Sequence, residues 1–483
     1  MNRELKRVSI VVLLMFLTLL TSTTIIQAVQ ADNLAADARN TRTLLNSYSV
    51  ERGPILVAGE PIAQSMPVDD DFKFQRTYSN GPLYAPVTGF FPVNGAPTGL
   101  EAALNRELSG TSNSQFFDQL SAIVTGATPK GAAVETTIDP VAQQAAWDAL
   151  GDYTGAVIVT EPKTGKVLAM VSKPSFDPNE LAVHDTKLVN ERYDALVNDP
   201  TDPLIDRTIN ELNPPGSVFK LVVVAAALES GKFTPDTMFP NPGEFQLPGS
   251  SSIVINSGGG TCGPGDQVSI ATALKLSCNI PMAELGLQLG NDAIREMAEK
   301  FGFNTDYEIP LDVTQSVYPR GLDDAQTALS AFGQYTVRAT PLQMAMVSAT
   351  IANGGELLAP NMVDEILAPD LSTRQSFEPK VVRQVISPEN AATMTQMMVN
   401  GVNDGAASNA RIDGVEVAGK TGTAENGDTD PYTLWFTGFA PANDPKYAIT
   451  VLVENGGGLG QTGYGNLIAA PIAQKVLEAV LNK

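Results

Sequence analysis

A serine and a lysine three residues apart open an apolar stretch near the middle of the chain. Ser217 and Lys220 follow the helix-breaking tripeptide 214–216 and precede residues 221–228, which are all Leu, Val or Ala. This run predicts a buried helix, and Gly231 is a suitable residue to end it. Ser217 would lie on the first turn, where free N–H groups favour developing negative charge. Lys220 would lie one turn further on the same face, where a buried, neutral amine can take the serine proton.

A second hydroxyl and an amide follow sixty residues later, in Ser277-Cys278-Asn279. In an active site, Ser277 would relay a proton near the lysine, and the Asn279 amide would hold a substrate carbonyl. In a purely structural role, the same residues would provide the N-cap of the next helix. Taken alone, the stretch favours the structural role.

The third polar stretch is Lys420-Thr421-Gly422-Thr423, which follows a predicted strand over 415–418. A lysine charge, two hydroxyls that can donate and a glycine that allows close backbone approach suit an extended peptide ending in a carboxylate. The N–H of Thr423 could also join that of the first serine in an oxyanion hole.

Composition and charge exclude several classes of protein. The 483 residues include 31 basic and 53 acidic side chains, and the net charge of −22 argues against a nucleic-acid partner. The only histidine is His184, so a Ser–His–Asp hydrolase would have to use it, and a His-rich metal centre is excluded. Two cysteines cannot complete a four-cysteine zinc site. We expect no metal, no cofactor and a lysine base in any serine enzyme.

An apolar run at the N-terminus is long enough to cross a bilayer. Arg3, Lys6 and Arg7 precede the apolar residues 8–29. A bilayer requires roughly 20 such residues, and the positive flank predicts a cytoplasmic N-terminus with the remainder of the chain outside the cytoplasm. A cleaved signal peptide is the alternative, because residues 29–31 resemble a cleavage site. The length of the run favours an uncleaved, single-pass anchor in the cell membrane.

The sequence divides into three predicted parts, at residues 1–30, 31–135 and 136–483. The second is a small accessory domain, with helices over 35–47, 100–108 and 114–124 and two short strands that turn at Gly59. The third has predicted strands at 155–160, 166–171, 433–439 and 448–453, and predicted helices over 141–150, much of 267–352, and 466–481. Strands at both ends with helices between them indicate an α+β domain whose terminal segments share one antiparallel sheet.

The ordered trio Ser-x-x-Lys, Ser-x-Asn, Lys-Thr-Gly resembles that of penicillin-recognising serine enzymes. A second Lys-Thr-Gly triplet, at 163–165, lies in a predicted turn and precedes Ser217, so it cannot be the third motif of the set. The resemblance therefore depends on the order of the three motifs and not on any one of them. Residues 52–55 resemble the start of the non-catalytic domain of class B penicillin-binding proteins. Further stretches that resemble this class are 161–165, 169–172, 213–216, 340–345 and 352–355. Within the class, the short N-terminal region is most similar to the penicillin-binding protein A type.

The resemblance implies the penicillin-recognising serine transpeptidase fold, in which helices flank an antiparallel sheet and one subdomain is all-helical. It also implies peptidoglycan D,D-transpeptidation. A serine attacks the carbonyl of the penultimate D-alanine of a stem peptide, the terminal D-alanine leaves, and an amine of a neighbouring stem takes the acyl group. β-Lactams would trap the same serine.

Roles for individual residues and partners follow from the same resemblance. The implied partners are donor and acceptor stem peptides, β-lactams, the membrane, and a glycosyltransferase or other division or elongation proteins. The implied residues are Ser217 as nucleophile, Lys220 as base, Ser277 with Lys420 as the proton relay to the leaving amine, Asn279 as the amide that orients the acyl chain, and Thr421, Gly422 and Thr423 beside the substrate.

Of the two cysteines, Cys262 lies in a glycine-rich loop, and Cys278 follows 16 residues later. In a domain outside the cytoplasm they are expected to form a disulfide, which would fix the second motif to that loop. The alternative is a pair of free, buried thiols.

Two rival functions stay open at this point. A β-lactamase or a D,D-carboxypeptidase of the same fold would hydrolyse the acyl-enzyme, although the Glu-x-x-Leu-Asn stretch of class A β-lactamases is absent between Asn279 and Lys420. A non-catalytic scaffold or β-lactam sensor would keep the fold for partner contacts. The anchor and the accessory domain favour a cell-wall synthase.

Overall fold

The computed structural model describes residues 2–30, 34, 48, 50–112, 115, 130–307 and 309–482. The helices expected over 35–47 and 114–124 therefore lie outside the described residues, apart from Gln115.

Helices and strands of the described residues are numbered here in chain order. The helices are α1 (Asn2–Thr24), α2 (Gly81–Thr88), α3 (Gly99–Ala103), α4 (Asn105–Leu108), α5 (Pro140–Leu150), α6 (Thr186–Val197), α7 (Lys220–Glu229), α8 (Ile270–Leu276), α9 (Ile280–Leu289), α10 (Asn291–Lys300), α11 (Asp324–Ser330), α12 (Pro341–Ala352), α13 (Pro388–Asp404) and α14 (Ala469–Leu481). The strands are β1 (Ile55–Val57), β2 (Glu60–Pro67), β3 (Phe74–Tyr78), β4 (Ala133–Thr136), β5 (Gly155–Thr160), β6 (Val167–Lys173), β7 (Met238–Pro240), β8 (Glu244–Gln246), β9 (Ile253–Ile255), β10 (Gln267–Ser269), β11 (Glu356–Leu358), β12 (Val363–Leu367), β13 (Thr373–Ser376), β14 (Val381–Gln384), β15 (Ala418–Ala424), β16 (Thr433–Ala440) and β17 (Tyr447–Val453).

The N-terminal apolar run forms a helix, as predicted. The stretch Arg3–Ala28, made of α1 and the π-helical turn Ile25–Val29 that continues it, is long and apolar enough to cross a membrane. Within the described residues, none of this stretch is buried against the rest of the protein. It is compatible with a single-pass membrane anchor.

The two ends of the predicted catalytic region pair in one sheet, which confirms the α+β prediction. The strands β15, β16, β17, β5 and β6 are neighbours in that order, and each pair is antiparallel. Every residue of β16 is buried, because α12 covers one face of the strand and α14 the other. Trp435 and Phe439 pack into one apolar cluster and Leu434 and Phe436 into another, as strand alternation requires. The sheet thus gives the neighbouring strand β15 a firm support.

A second sheet joins distant parts of the chain. Its strand order is β13-β12-β4-β1-β2-β3, with β4 parallel to β1 and antiparallel to β12. The sequence predicts no strand between 352 and 415, so β12 and β13, like β11 and β14, were not predicted. Only Val363 and Ile366 of β12 are buried, and β13 has no buried residue, so the apolar alternation that reveals a strand is weak there. The region after α12 thereby holds the N-terminal part against the catalytic part.

A buried ion triad organises the N-terminal part. The Glu101 carboxylate is fully buried between Arg52 Nε at 2.5 Å and Arg76 Nε at 2.6 Å. Burial alone raises the pKa of Glu101, but the charges of Arg76 and Arg52 and their hydrogen bonds outweigh it and hold that pKa below its ordinary value. The triad therefore ties α3 to the start of the domain and to β3.

Glu101→Gln is expected to destabilise the protein by about 3–5 kcal/mol, because it leaves two buried guanidinium groups without their shared anion. Since the folded-state pKa of Glu101 is depressed, its contribution is present above the ordinary carboxyl pKa and is lost as the pH falls through the folded-state value. Thermal unfolding at pH 7 and at lower pH values measures both effects. Glu60→Gln, at an exposed site, is the control. A Glu101→Gln variant as stable as this control would contradict the prediction.

Candidate active site

The first motif begins a helix, as predicted. Ser217 lies in the 3₁₀ turn Gly216–Phe219, and Lys220 is the first residue of α7. Gly216 has a φ of +53°, and a Cβ atom there would lie 2.9 Å from the carbonyl oxygen of Thr423. A glycine is required at such an approach. The turn that carries Ser217 therefore packs directly on β15.

Two contacts that the sequence analysis missed fix this turn on the sheet. Trp435 Nε1 donates to Pro214 O at 2.9 Å, and a Cβ atom on Gly422 would lie 2.9 Å from Pro215 O. Trp435 is one of two tryptophans in the chain. A buried indole N–H needs an acceptor, so a tryptophan within a predicted core strand was the sequence feature that could have indicated this contact.

The Lys220 amine connects the first motif to the second. It is fully buried and donates to Ser277 O at 2.7 Å and to Asn279 Oδ1 at 2.9 Å. Among the described residues it makes no hydrogen bond with Ser217 Oγ, which the sequence analysis expected it to reach. A neutral amine has two N–H groups and one lone pair. With both N–H groups engaged, the lone pair is available to a hydroxyl proton.

Ser277 connects the second motif to the third. It ends α8 with φ 62° and ψ 33°, a left-handed conformation that is strained for a serine. Its hydroxyl accepts a hydrogen bond from Lys420 Nζ at 2.6 Å, and the same amine donates to Thr421 O at 2.9 Å. The structure thus brings Lys220, Ser277 and Lys420 together in one chain of contacts.

The third motif lies inside a strand rather than after one. The strand predicted over 415–418 is wrong in position, because β15 spans Ala418–Ala424 and contains the whole motif. Thr421 Oγ1 donates to a backbone carbonyl at 2.8 Å, while Thr423 Oγ1 accepts from Gly465 N at 3.1 Å. Of the two hydroxyls expected to face a substrate carboxylate, that of Thr423 therefore keeps its own proton to donate.

Burial changes the proton affinity of both lysines. Burial and, to a lesser extent, the charge of Lys420 lower the pKa of Lys220 well below its ordinary value. Burial lowers the pKa of Lys420 to about 7. Because the two amines repel each other when both are charged, their protonation is coupled. A neutral Lys220 near pH 7 is the form that can accept a proton from a serine.

Cys262 and Cys278 form a disulfide in the structure, and both side chains are buried. Cys278 stands between Ser277 and Asn279, so the bond ties the second motif to the glycine-rich loop at 258–265.

Loss of this disulfide is expected to cost about 3 kcal/mol, because it closes a loop of about 15 residues. The double variant Cys262→Ser, Cys278→Ser should therefore unfold at lower temperature than the parent protein, and a reducing agent should lower the Tm of the parent alone. Mass spectrometry after alkylation without reduction reports the state of the parent. Two alkylated thiols, or a double variant as stable as the parent, would contradict the prediction.

The single histidine takes no part in these contacts. His184 Nδ1 lies 2.5 Å from Asp70 Oδ2, and its ring packs against Phe72 and Tyr48. In the described part of the chain, Ser217 has no histidine partner, which leaves the lysines as its candidate bases.

Two family models match the chain. Residues 155–478 match the penicillin binding protein transpeptidase domain, and residues 52–134 match the penicillin binding protein A dimerisation domain. The two matches follow each other along the chain and together take in most of it after the N-terminal helix.

Characterised proteins show the same similarity over the full length. The chain is 43% identical to the peptidoglycan D,D-transpeptidase PbpA of Mycolicibacterium smegmatis over 493 residues, covering 100% of both proteins. A structure of penicillin-binding protein A from M. tuberculosis as a ceftriaxone acyl-enzyme complex is 40% identical, with a TM-score of 0.88 over 90% of this chain and 100% of that one. The D,D-transpeptidase domain of a peptidoglycan glycosyltransferase from Eggerthella lenta is 31% identical, with a TM-score of 0.78 over 90% of this chain and 99% of that one. The chain therefore belongs to the class B penicillin-binding proteins, a family of peptidoglycan D,D-transpeptidases.

Proposed function

We propose that Ser217 is the nucleophile of the D,D-transpeptidase reaction that family membership gives this protein. One observation supports this proposal above all: Lys220, Ser277 and Lys420 form a chain of contacts. Ser217 lies next to this chain, at the start of the buried helix α7. The Ser217 side chain is half-buried, and within the described residues its hydroxyl makes no hydrogen bond. It is therefore free to attack a carbonyl.

Lys220 takes the proton of Ser217 as the serine attacks the penultimate D-alanine carbonyl. Its lowered pKa favours the neutral form, and its two N–H groups are engaged by Ser277 O and Asn279 Oδ1. These two acceptors also stabilise the ammonium that forms when the proton arrives.

Ser277 and Lys420 return a proton to the departing amine of the terminal D-alanine. The 2.6 Å contact between Lys420 Nζ and Ser277 Oγ provides the path. As the carbon–nitrogen bond breaks, the Ser277 hydroxyl gives its proton to the leaving nitrogen, and Lys420 replaces it. Asn279 orients the acyl chain through the second N–H of Nδ2, since the first donates to Ile255 O.

The strand β15 binds the substrate along its edge. The N–H groups of Ser217 and Thr423 stabilise the oxyanion of the tetrahedral intermediate, and the Thr423 hydroxyl donates to the terminal carboxylate. Gly422 allows the peptide backbone to approach the strand closely. An amine of a neighbouring stem then attacks the ester carbonyl and gives up a proton to the Ser277–Lys420 pair. As the ester bond breaks, Lys220 returns its proton to Ser217 Oγ, which completes the cross-link and regenerates the serine.

The proposal also gives a role to each of the three parts of the chain. Residues 1–30 anchor the protein with its N-terminus in the cytoplasm, residues 31–135 form the non-catalytic domain, and residues 136–483 form the transpeptidase domain outside the membrane. The basic residues before α1 support this orientation. The non-catalytic domain supplies the surface for a partner glycosyltransferase or for division or elongation proteins.

A transfer assay on the full-length protein in detergent tests the proposed reaction. A stem peptide ending in D-Ala-D-Ala is incubated with an amine acceptor, and the products are separated by mass spectrometry. We expect one terminal D-alanine released for each acyl group transferred, and a long-lived adduct when penicillin replaces the peptide. Release of D-alanine without transfer would identify a carboxypeptidase, and rapid turnover of penicillin would identify a β-lactamase.

A further inference from the structure

Asn279 stands at the N-cap of α9, yet its side chain does not cap this helix. An asparagine at this position normally accepts a hydrogen bond from a backbone N–H of the first turn. Here Asn279 Oδ1 accepts from Lys220 Nζ at 2.9 Å, and Asn279 Nδ2 donates to Ile255 O at 3.0 Å. The side chain is therefore committed to the lysine, and the first N–H groups of α9 need another acceptor.

Asn256 supplies that acceptor from the segment after β9. Its Oδ1 accepts from Asn279 N at 2.9 Å and from Ile280 N at 3.0 Å, and its Nδ2 donates to Gly260 O at 2.9 Å. The side chain of Asn256 is 3% exposed, so water cannot replace it without a rearrangement. The next residue, Pro281, has no N–H, so these two bonds satisfy the first two N–H groups at the start of the helix.

We propose that Asn256 is a positioning residue for acylation: by binding the N–H groups of Asn279 and Ile280, it holds the Asn279 backbone where its side chain meets the Lys220 amine. This inference rests on the proposed role of Lys220 and Asn279 in the reaction. Asn256 touches neither Lys220 nor the serine, and it acts through the orientation of Asn279.

The physical reason is that Asn256 fixes the backbone from which the Asn279 side chain extends. Without Asn256, the buried N–H groups at the start of α9 lose their acceptor, and an unpaired buried donor is costly. Asn279 Oδ1 cannot take over this role, because an N-cap side chain reaches the second or third residue of its helix and not its own N–H or that of Ile280. Without Asn256, the backbone at Asn279 and Ile280 must therefore shift towards another acceptor. That shift displaces the Asn279 side chain, and with it one of the two acceptors that hold the Lys220 amine.

Acylation kinetics on the full-length protein in detergent test the inference, with a fluorescent penicillin as the probe and Tm measured alongside. We expect Asn256→Ala to lower the second-order acylation rate constant about 10- to 100-fold, as small misplacements of reacting groups do, and to lower Tm by about 2–4 °C through the lost cap. Asn256→Asp keeps the acceptor at the helix N-terminus but loses the donor to Gly260 O, so it should acylate faster than Asn256→Ala and more slowly than the parent protein. Asn256→Gln, whose amide is displaced by one methylene, should be slow even if Asn256→Ala does not fold.

A double variant separates positioning from a general structural role. If Asn256 acts only through Asn279, then Asn256→Ala should cause no further loss of acylation in an Asn279→Ala background, although Tm should still fall. Asn241→Ala is the matched control, because Asn241 is also buried and bonds to the same loop at Cys262 N but does not contact Asn279. We expect this control to lower Tm and to leave acylation within about 3-fold of the parent protein.

The outcomes distinguish the inference from the proposed function. Three results would each refute the positioning role and leave the proposed function intact. The first is a double variant in which the two losses of acylation rate multiply. The others are an Asn256→Ala or Asn256→Gln protein that acylates as fast as the parent, and an Asn241→Ala protein that acylates as slowly as Asn256→Ala. An Asn279→Ala protein that acylates like the parent would overturn the proposed role of Asn279 and the inference together.

Discussion

Ser217→Ala is expected to abolish acylation by penicillin, a loss on the order of 10⁴-fold or more, because no other atom can form the acyl bond at this site. The substitution should leave folding unchanged. Ser217 is half-buried, and among the described residues its hydroxyl has no hydrogen-bond partner to lose. Acylation is measured with a fluorescent penicillin and folding by thermal unfolding.

Ser230→Ala is the matched control for this variant. Ser230 follows the other end of α7, and its hydroxyl donates to Ala227 O at 2.6 Å. The control should acylate at the parent rate. A Ser217→Ala protein that still forms a stable adduct would show that the nucleophile lies elsewhere.

Replacing the proposed base has the second largest expected effect. Lys220→Met keeps the length of a buried, unbranched side chain but removes the lone pair, and it should slow acylation by about 10³-fold, within the usual range for a lost general base. Lys232→Met removes a lysine from an exposed site of the neighbouring segment and should have no effect. Equal acylation by Lys220→Met and the control would contradict the assignment.

The pH dependence of the parent protein tests the same assignment independently. Because burial lowers the folded-state pKa of Lys220, the neutral amine is favoured at higher pH, and the amine gains a proton as the pH falls. Acylation by the parent should therefore decrease towards acid pH. The apparent pKa belongs to the coupled pair of Lys220 and Lys420, whose own pKa is lowered to about 7. In the Lys220→Met variant, the remaining acylation rate should decrease less towards acid pH than the rate of the parent does, because Lys220 no longer titrates.

The sequence predicted those parts of the site that local patterns specify. The Pro-Pro-Gly break and the apolar run after Lys220 were sufficient to place Ser217 at the start of a buried helix, which the structure confirms. Alternation of apolar and polar residues and high apolar content likewise located β5, β16 and β17. Their positions at the two ends of the domain then predicted the antiparallel sheet. The order of the three motifs then indicated that they meet.

Contacts between distant segments could not be predicted in this way. The glycines within β15 weakened its strand signal, so the strand was predicted three residues too early. The partners of Lys220 lie on the second motif rather than on the serine one turn away, and this depends on how α7 and α9 pack. Asn256 stands before a Ser-Gly-Gly-Gly stretch that is typical of a loop, and only the fold brings it to the start of α9.

The central claim is that Ser217 carries the acyl group. The most direct test is to acylate the full-length protein with penicillin, digest it and locate the added mass by tandem mass spectrometry. The account predicts one penicilloyl group per chain, on the Ser217 hydroxyl. A penicilloyl group on Ser277 or on another residue, or no adduct on protein shown to be folded, would contradict it.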